Sequence, residues 1–184
     1  MQTLSNLLWA AYGINRKTLG SYWPNKPGGP GSGGAAGQAG PGGQNAAKAG
    51  GETHPTTGRT APSAMNSQDI QLYVVLAQGV YTYDADHNQL VPTASGDQRA
   101  KIYSGTEKAA VTIVYCWPAQ NDQFKQVDIG FIAQNVFLFA ASQGLNAWFY
   151  TIHGDQNIAA IASVLGFPAD RSMTYAQSIG YSSQ

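Results

Sequence analysis

Apolar residues recur every three to four positions at the start of the chain and every second position through its middle, and this change of period separates helices from strands. Leu4, Leu7, Leu8 and Ala11 predict a short helix over residues 3–14, with Thr3 or Ser5 available as a cap. From Gln71 the period shortens. Leu72 to Leu76 predicts a strand, Val80 to Asp84 a second across a Gln78-Gly79 turn, and Leu90 to Thr93 a third after the Asp86-His87-Asn88 turn, giving two consecutive hairpins. The unbroken β-branched and aromatic run from Ala109 to Trp117 predicts a central strand buried on both faces. Residues 123–143 predict the longest helix. Val127, Phe131, Ile132, Phe137, Leu138, Phe139 and Ala140 occupy most of its circumference, so it belongs in a core or a dimer interface rather than on a surface. Gly144 stands where a helix-ending glycine is expected. Asn146 to Ile152 predicts a strand, Gln156 to Leu165 a helix closed by Gly166, and Thr174 to Tyr181 a last strand. Strands and helices mix without strict alternation, which is the α+β class.

One stretch follows neither period. Half of the 22 glycines lie between Gly28 and Gly51, in a segment with almost no large apolar side chain. Ordering a backbone costs about 1–2 kcal/mol per residue, which such a segment cannot recover by burial. Residues 24–57 are therefore expected to be a flexible Gly/Pro-rich insertion within a single domain spanning residues 1–184. The glycines follow no Gly-X-Y repeat, and no Gly-Lys-Ser or Gly-Lys-Thr marks a phosphate loop. Composition narrows the classes further. Charged residues are only 11% of the chain and cancel to zero net charge, which leaves no electrostatic footprint for nucleic acid or anionic membrane. No apolar run reaches the roughly 20 residues of a bilayer span, and no signal-peptide pattern opens the chain. A cytoplasmic protein is the expectation.

The reactive side chains are sparse. Cys116 is the one cysteine and sits inside the buried strand, as a structural thiol would. His54 falls in the insertion and His87 in a hairpin turn, while His153 ends a strand before Gly154-Asp155, a place where either a loop histidine or a site residue can stand. Their spacing supports no zinc site, and no Gly-x-Ser-x-Gly elbow supports a nucleophilic serine. On the long helix Asp128, Asn135 and Ser142, spaced by seven with Gln134 beside them, form a polar stripe. Such groups either bond to neighbouring backbone or edge a ligand or a two-fold interface. The densest polar cluster is RTAPSAMNSQ, from Arg59 to Gln68, just before the first long strand. Ser63, Asn66 and Gln68 there suit either a heterocycle with many hydrogen-bonding edges or a helix cap.

That string resembles the flavin-dependent nitroreductase family, in its branch related to thiazole/oxazole-forming peptide dehydrogenases. LSNLLWAAYGINR, VYTYDADHNQLVP with GDQR, VDIGFIAQNVFLFAASQGLNAWFY and LGFPAD with YAQSIGYS follow in the same order. The resemblance implies an α+β sandwich around a mixed, mostly antiparallel sheet flanked by helices. It also implies an intertwined homodimer with FMN in two clefts at its interface. Carried over by position, Pro62, Ser63, Ala64, Asn66 and Gln68 would contact the flavin or its ribityl chain across that interface. Tyr150, Thr151, Ile152, His153 and Gly154 would pass beside the ring system. The implied activity is ping-pong transfer of hydride from NAD(P)H through FMN to a quinone, nitroaromatic or similar small acceptor, with the flavin doing the redox step. No residue of the chain is then catalytic in its own right, and no metal is implied.

The pattern differs from the family's in three places. The Arg-Arg-Ser-x-Arg type segment that clamps the FMN phosphate has no counterpart here, nor has a basic residue beyond the final strand, and the insertion separates Arg16 from Arg59. Arg16 and Arg59 are the substitutes the chain offers. Charge-assisted hydrogen bonds contribute about 1.5–3 kcal/mol each, so the alternative is a cofactor-less binding or scaffolding protein that keeps the fold after losing its clamp.

Overall fold

The computed structural model describes residues 2–17, 57–120, 123–152 and 155–181. The expected insertion at 24–57 lies almost wholly outside them, as do His153 and Gly154. The described elements, in chain order, are helix α1 (Gln2–Tyr12), strand β1 (Ile14–Arg16), β2 (Gly58–Arg59), β3 (Gln71–Leu76), β4 (Gly79–Asp84), β5 (Gln89–Ser95), α2 (Arg99–Ile102), β6 (Val111–Pro118), α3 (Lys125–Ser142), β7 (Asn146–Thr151), α4 (Asp155–Leu165) and β8 (Arg171–Gly180). Single 3-10 turns occupy Ala64–Asn66 and Thr106–Lys108.

A six-stranded sheet in the order β5-β4-β3-β6-β8-β7 forms the middle layer, and β1 pairs with β2 in a separate ribbon. The sheet expected to be mostly antiparallel is antiparallel at every described pairing. Its central strands explain the sandwich. Successive side chains of a strand point to opposite faces, and β3 and β6 are apolar at odd and even positions alike. Leu72, Val74, Ile113, Tyr115 and Trp117 join α1 and α3 in one core through Leu7, Leu8, Ala11, Ile129, Ile132 and Val136. Tyr73, Val75, Val114 and Cys116 face the other way, packing with Ile102 of α2 and Ile161 and Leu165 of α4. Polar atoms in the middle layer are paired: Tyr115 Oη donates to Gln177 Oε1 at 2.6 Å, and Thr112 Oγ1 lies 2.9 Å from Ser178 Oγ.

Both helix-ending glycines are where the pattern predicts. Gly144 (φ 65°) and Gly166 (φ 69°) take the left-handed conformation. Leu145 N–H then reaches Ala140 O and Phe167 N–H reaches Ala162 O, at 2.9 Å each, the closure of a Schellman motif. Several boundaries differ from expectation: α1 ends at Tyr12 rather than at residue 14, because Ile14 already opens β1, and β7 ends at Thr151 rather than Ile152. The first hairpin turns at Ala77-Gln78, and Gly79 already belongs to β4, where a Cβ would stand 2.5 Å from Ala94 O. β6 starts at Val111 because Ala109 and Ala110 follow a 3-10 turn. β8 starts three residues earlier than Thr174, its polar Arg171-Ser172 pairing with Pro118 and Trp117 beyond a register shift at which Thr174 is the extra residue on the β8 side. The short α2 carries no periodic signal, and its order comes from Arg99, which donates to both Asp97 carboxylate oxygens and to Ala109 O.

The long helix meets the core on one side only. Ile129, Ile132, Ala133, Val136 and Ala140 are buried, but Phe124 at its N-cap and Val127, Phe131 and Leu138 stand 42–61% exposed on the opposite side. Within one chain α3 is thus a surface helix with apolar residues on both sides. Ile113 is fully buried between the layers, so Ile113→Ala is expected to cost about 2–5 kcal/mol by cavity formation, read as a lower urea midpoint at unchanged slope.

Candidate functional site

The register places the predicted segments at one end of the sheet. Gln71, which opens β3, pairs with Cys116 near the end of β6, and the end of β6 pairs with Arg171–Met173 at the start of β8. Thr151, which closes β7, pairs with Tyr175 of β8. The loop before β3, the start of α3 and the exit of β7 therefore share that end. Three inter-strand steps of about 4.8 Å, roughly 14 Å in all, separate β3 from β7 within one chain.

The loop from Pro62 to Asp69 is held in an unusual shape. Met65 (φ 55°), Asn66 (φ 53°) and Gln68 (φ 48°) are all left-handed, a conformation that is uncommon outside glycine and costs about 1–3 kcal/mol each. Hydrogen bonds compensate. Gln68 N–H donates to Ser63 Oγ at 3.1 Å, and Gln68 Nε2 donates to Thr57 O at 2.6 Å and Asn66 Oδ1 at 2.7 Å. Ala64 N–H donates to Asp128 Oδ1 of α3 at 2.7 Å. Lys125 Nζ, buried with its side chain only 2% exposed, lies 2.5 Å from Asp69 Oδ1 and 3.2 Å from Ser67 Oγ. Burial pushes the Asp128 carboxyl above its ordinary pKa, opposed by the Ala64 N–H and the Lys125 ammonium. The loop turns Asn66 inward and presents Pro62 and Met65 to solvent.

The remaining predicted residues divide. Arg16 is exposed, with Nη2 donating to Arg59 O at 2.9 Å. Arg59 turns inward: its guanidinium lies 4.1 Å from the Tyr12 ring centroid, and Nη1 donates to Tyr12 O at 2.9 Å. Tyr150 is buried with its hydroxyl 3.1 Å from Ser178 Oγ, and Ile152 is buried with its N–H on Thr174 O at 2.7 Å. Among the described residues at the exit of β7, the Thr151 side chain is half-buried. The polar stripe of α3 takes its internal reading. Asn135 Nδ2 donates to Ala11 O at 3.3 Å and Ser142 Oγ to Phe139 O at 2.7 Å. Cys116 is fully buried, and burial holds its thiol well above the usual range.

Lys125 and Asp69 escaped the sequence reading because a lysine opening a helix ordinarily reads as a solvated charge. One signal was present: a cation in the first helical turn opposes the helix dipole, which asks for anions elsewhere to hold it.

The profile of the Nitroreductase family matches residues 1–181. The chain belongs to that family. Among solved structures, this nitroreductase-family chain is similar to a provisionally named nitroreductase of Ralstonia eutropha, at 25% identity and TM-score 0.69, over 100% of this chain and 73% of that one. The microcin synthetase McbBCD complex of Escherichia coli, with truncated pro-MccB17 bound, shares the fold at 16% identity and TM-score 0.65, over 100% and 64%. A provisionally named nitroreductase of Anabaena variabilis does so at 15% identity and TM-score 0.63, over 97% and 34%. The chain thus spans less than two thirds of the latter two proteins' length. A search of curated proteins found no match. Among the described residues no helix is long and apolar enough to cross a membrane, and no three His, Cys, Asp or Glu side chains gather as a metal site.

Whether these residues suit a flavin mononucleotide is a question of donors. Pro62 and Met65 are exposed apolar surfaces for a flat ring. The Ser63 hydroxyl, accepting from Gln68 N–H, keeps its own proton to donate. Arg16 is exposed with Nη2 on Arg59 O, whereas Arg59 commits Nη1 to Tyr12 O and leaves its buried Nε without a hydrogen-bond partner. The loop thus offers apolar surface and a hydroxyl donor of the kind a flavin ring and ribityl chain would need, and Arg16 offers a cation of the kind a phosphate would need. The groove of about 260 Å³ lined by Lys101, Ala160, Ile161 and Val164 belongs to the α2–α4 side and not to this loop.

His87 has a separate role in the β4–β5 turn, with Nδ1 2.7 Å from Asp84 Oδ2. The Asp84 carboxyl, bonded to His87 and then to Gln89, is held down at about 2, and the same bond raises His87. The His87 contribution is complete below its ordinary 6.5 and is lost as pH rises through its raised pKa. The Asp84 contribution is complete above its ordinary 3.8 and is lost as pH falls through about 2. In an NMR titration His87 is expected to titrate above 6.5 and to return toward that value in Asp84→Asn.

Proposed function

We propose that the protein is an FMN-dependent oxidoreductase that works as a homodimer. On this reading it passes hydride from NAD(P)H to a quinone, nitroaromatic or similar small acceptor. The observation that carries the reading is the loop from Pro62 to Gln68, held left-handed at three non-glycine residues and turning Pro62 and Met65 outward. Strain of this kind persists where the surroundings enforce it, and it concentrates at binding sites. The flavin, when bound, supplies the hydride transfer. The chain's own residues bind and orient: Ser63 donates from its hydroxyl, Ala64, Asn66 and Gln68 keep the loop in shape, and Arg16 meets the phosphate. At the other edge Thr151 and the backbone from Tyr150 to Gly154, with His153, border the ring.

The homodimer follows from the apolar stripe on α3. Phe124, Val127, Phe131 and Leu138 lie at spacings of three, four and seven, with exposed Trp9 on the neighbouring α1. A contiguous exposed apolar face of that kind marks an interaction surface. The engagement of Arg59 with Tyr12 favours the second reading, a cofactor-less binding or scaffolding protein, because it ties one of the two candidate phosphate partners to the core.

An absorbance spectrum of the purified protein with added FMN decides between the two. Flavin bands that survive desalting, with NAD(P)H oxidation coupled to a quinone, are expected; a protein that releases all added FMN is not a flavoenzyme. The paired substitution Phe131→Glu and Leu138→Glu, both on the exposed side of α3, is expected to convert a two-chain particle to a single chain in light scattering. It should abolish FMN retention while leaving the circular dichroism spectrum unchanged.

A further inference from the structure

The charges at the start of α3 are buried, and each is bonded to the loop that turns Pro62 and Met65 outward. Lys125 and Asp128 occupy the first turn of α3 and are 2% and 1% exposed. Lys125 Nζ holds the loop's far end through Ser67 Oγ and Asp69 Oδ1. Asp128 Oδ1 holds its near end through the Ala64 N–H. Between these two clamps lie the three left-handed residues, Met65, Asn66 and Gln68. The two clamping groups are coupled to each other, with Lys125 Nζ 3.9 Å from Asp128 Oδ2.

A buried ammonium is costly to desolvate and is tolerated only when paired and hydrogen-bonded. An apolar side chain at position 125 would serve the core as well. The polar one is therefore explained by the loop and not by packing. Phe124, the residue before Lys125, is itself left-handed at φ 68°, so the chain enters α3 through a strained residue at the point where the ammonium is delivered.

We propose that Lys125 and Asp128 are positioning residues: together they lock the Pro62–Asp69 loop in its left-handed shape and thereby set the affinity of the site for flavin. The second half of this statement rests on the reading of that loop as a flavin contact; the first half does not. Without the lock the loop relaxes to the favoured backbone region, and the Ser63 hydroxyl and the Pro62 and Met65 surfaces lose their arrangement. Both side chains are buried and bonded to the loop, so each acts through the loop.

The test compares Lys125→Met, Asp128→Leu, Asp128→Asn and, as a stability control in the opposite core layer, Val75→Ala, which is fully buried. Amide hydrogen exchange is followed in the flavin-free protein, and FMN dissociation constants are taken from quenching of flavin fluorescence. Lys125→Met and Asp128→Leu are expected to speed exchange at the Ala64 and Gln68 amides by about tenfold or more, while Val74 and Val114 keep their protection. FMN affinity should fall by a similar factor. Asp128→Asn keeps an acceptor for the Ala64 N–H and should stay within about threefold of the parent on both readouts. Val75→Ala should lower the melting temperature without a selective change at the loop. Unchanged loop exchange in Lys125→Met and Asp128→Leu overturns the lock, as does a loss of FMN affinity in Val75→Ala as large as theirs. Should Lys125→Met fail to fold, the Asp128→Leu and Asp128→Asn pair carries the same decision. A parent protein that never retains FMN, with the exchange changes as expected, overturns the flavin reading and the affinity half of the proposal but not the lock.

Discussion

The constraint on which the molecule depends is that β3 and β6 carry buried apolar side chains on both faces, so the sheet they anchor needs cover on both sides. Leu72 and Val74 point one way and Tyr73 and Val75 the other, and Ile113 and Val114 repeat the division in β6. Two helical layers follow, α1 with α3 on one side and α2 with α4 on the other. A sheet with one polar face would have needed one layer only. The antiparallel pairing adds the geometry of the site, because adjacent strands run in opposite directions and bring the start of β3, the end of β6, the start of β8 and the end of β7 to one edge of the sandwich.

At that edge the polar groups are organised by burial rather than by number. The chain has few charges, and three of them, on Lys125, Asp69 and Asp128, converge on a single loop. Each member is useful only because the others compensate it: the ammonium needs the Asp69 carboxylate, and the left-handed backbone needs the acceptor that Asp128 provides. Arg59 shows the opposite outcome. Its charge is matched by a Tyr12 ring and a backbone carbonyl, which stabilises the junction of α1 with the β1–β2 ribbon. Two arginines that look equivalent in sequence thus part company, with Arg16 facing solvent and Arg59 facing the core.

The exposed stripe of α3 reflects the same economy. A helix apolar on all sides satisfies two neighbours, and a single chain supplies only one. Phe124, Val127, Phe131 and Leu138 are consequently the largest unsatisfied apolar feature on this helix. Their place on the element that also carries Lys125 and Asp128 ties any association along α3 to the loop beneath it.

Sequence alone determined the α+β class, the order of the long elements, both helix-ending glycines and the family, because periodicity, turn chemistry and motif order are local or ordered along the chain. It singled out Ser63, Asn66, Gln68 and Asp128 by the polarity of their types in unlikely places. It did not reveal Lys125 or Asp69, the separate fates of Arg16 and Arg59, the extra pairing of Arg171 and Ser172 in β8, or which flank of α3 is covered. These outcomes depend on contacts between residues tens of positions apart, such as Lys125 with Ser67 and Arg59 with Tyr12. The burial that makes those contacts strong exists only after the sheet and helices have closed around them, so only the tertiary structure decided them.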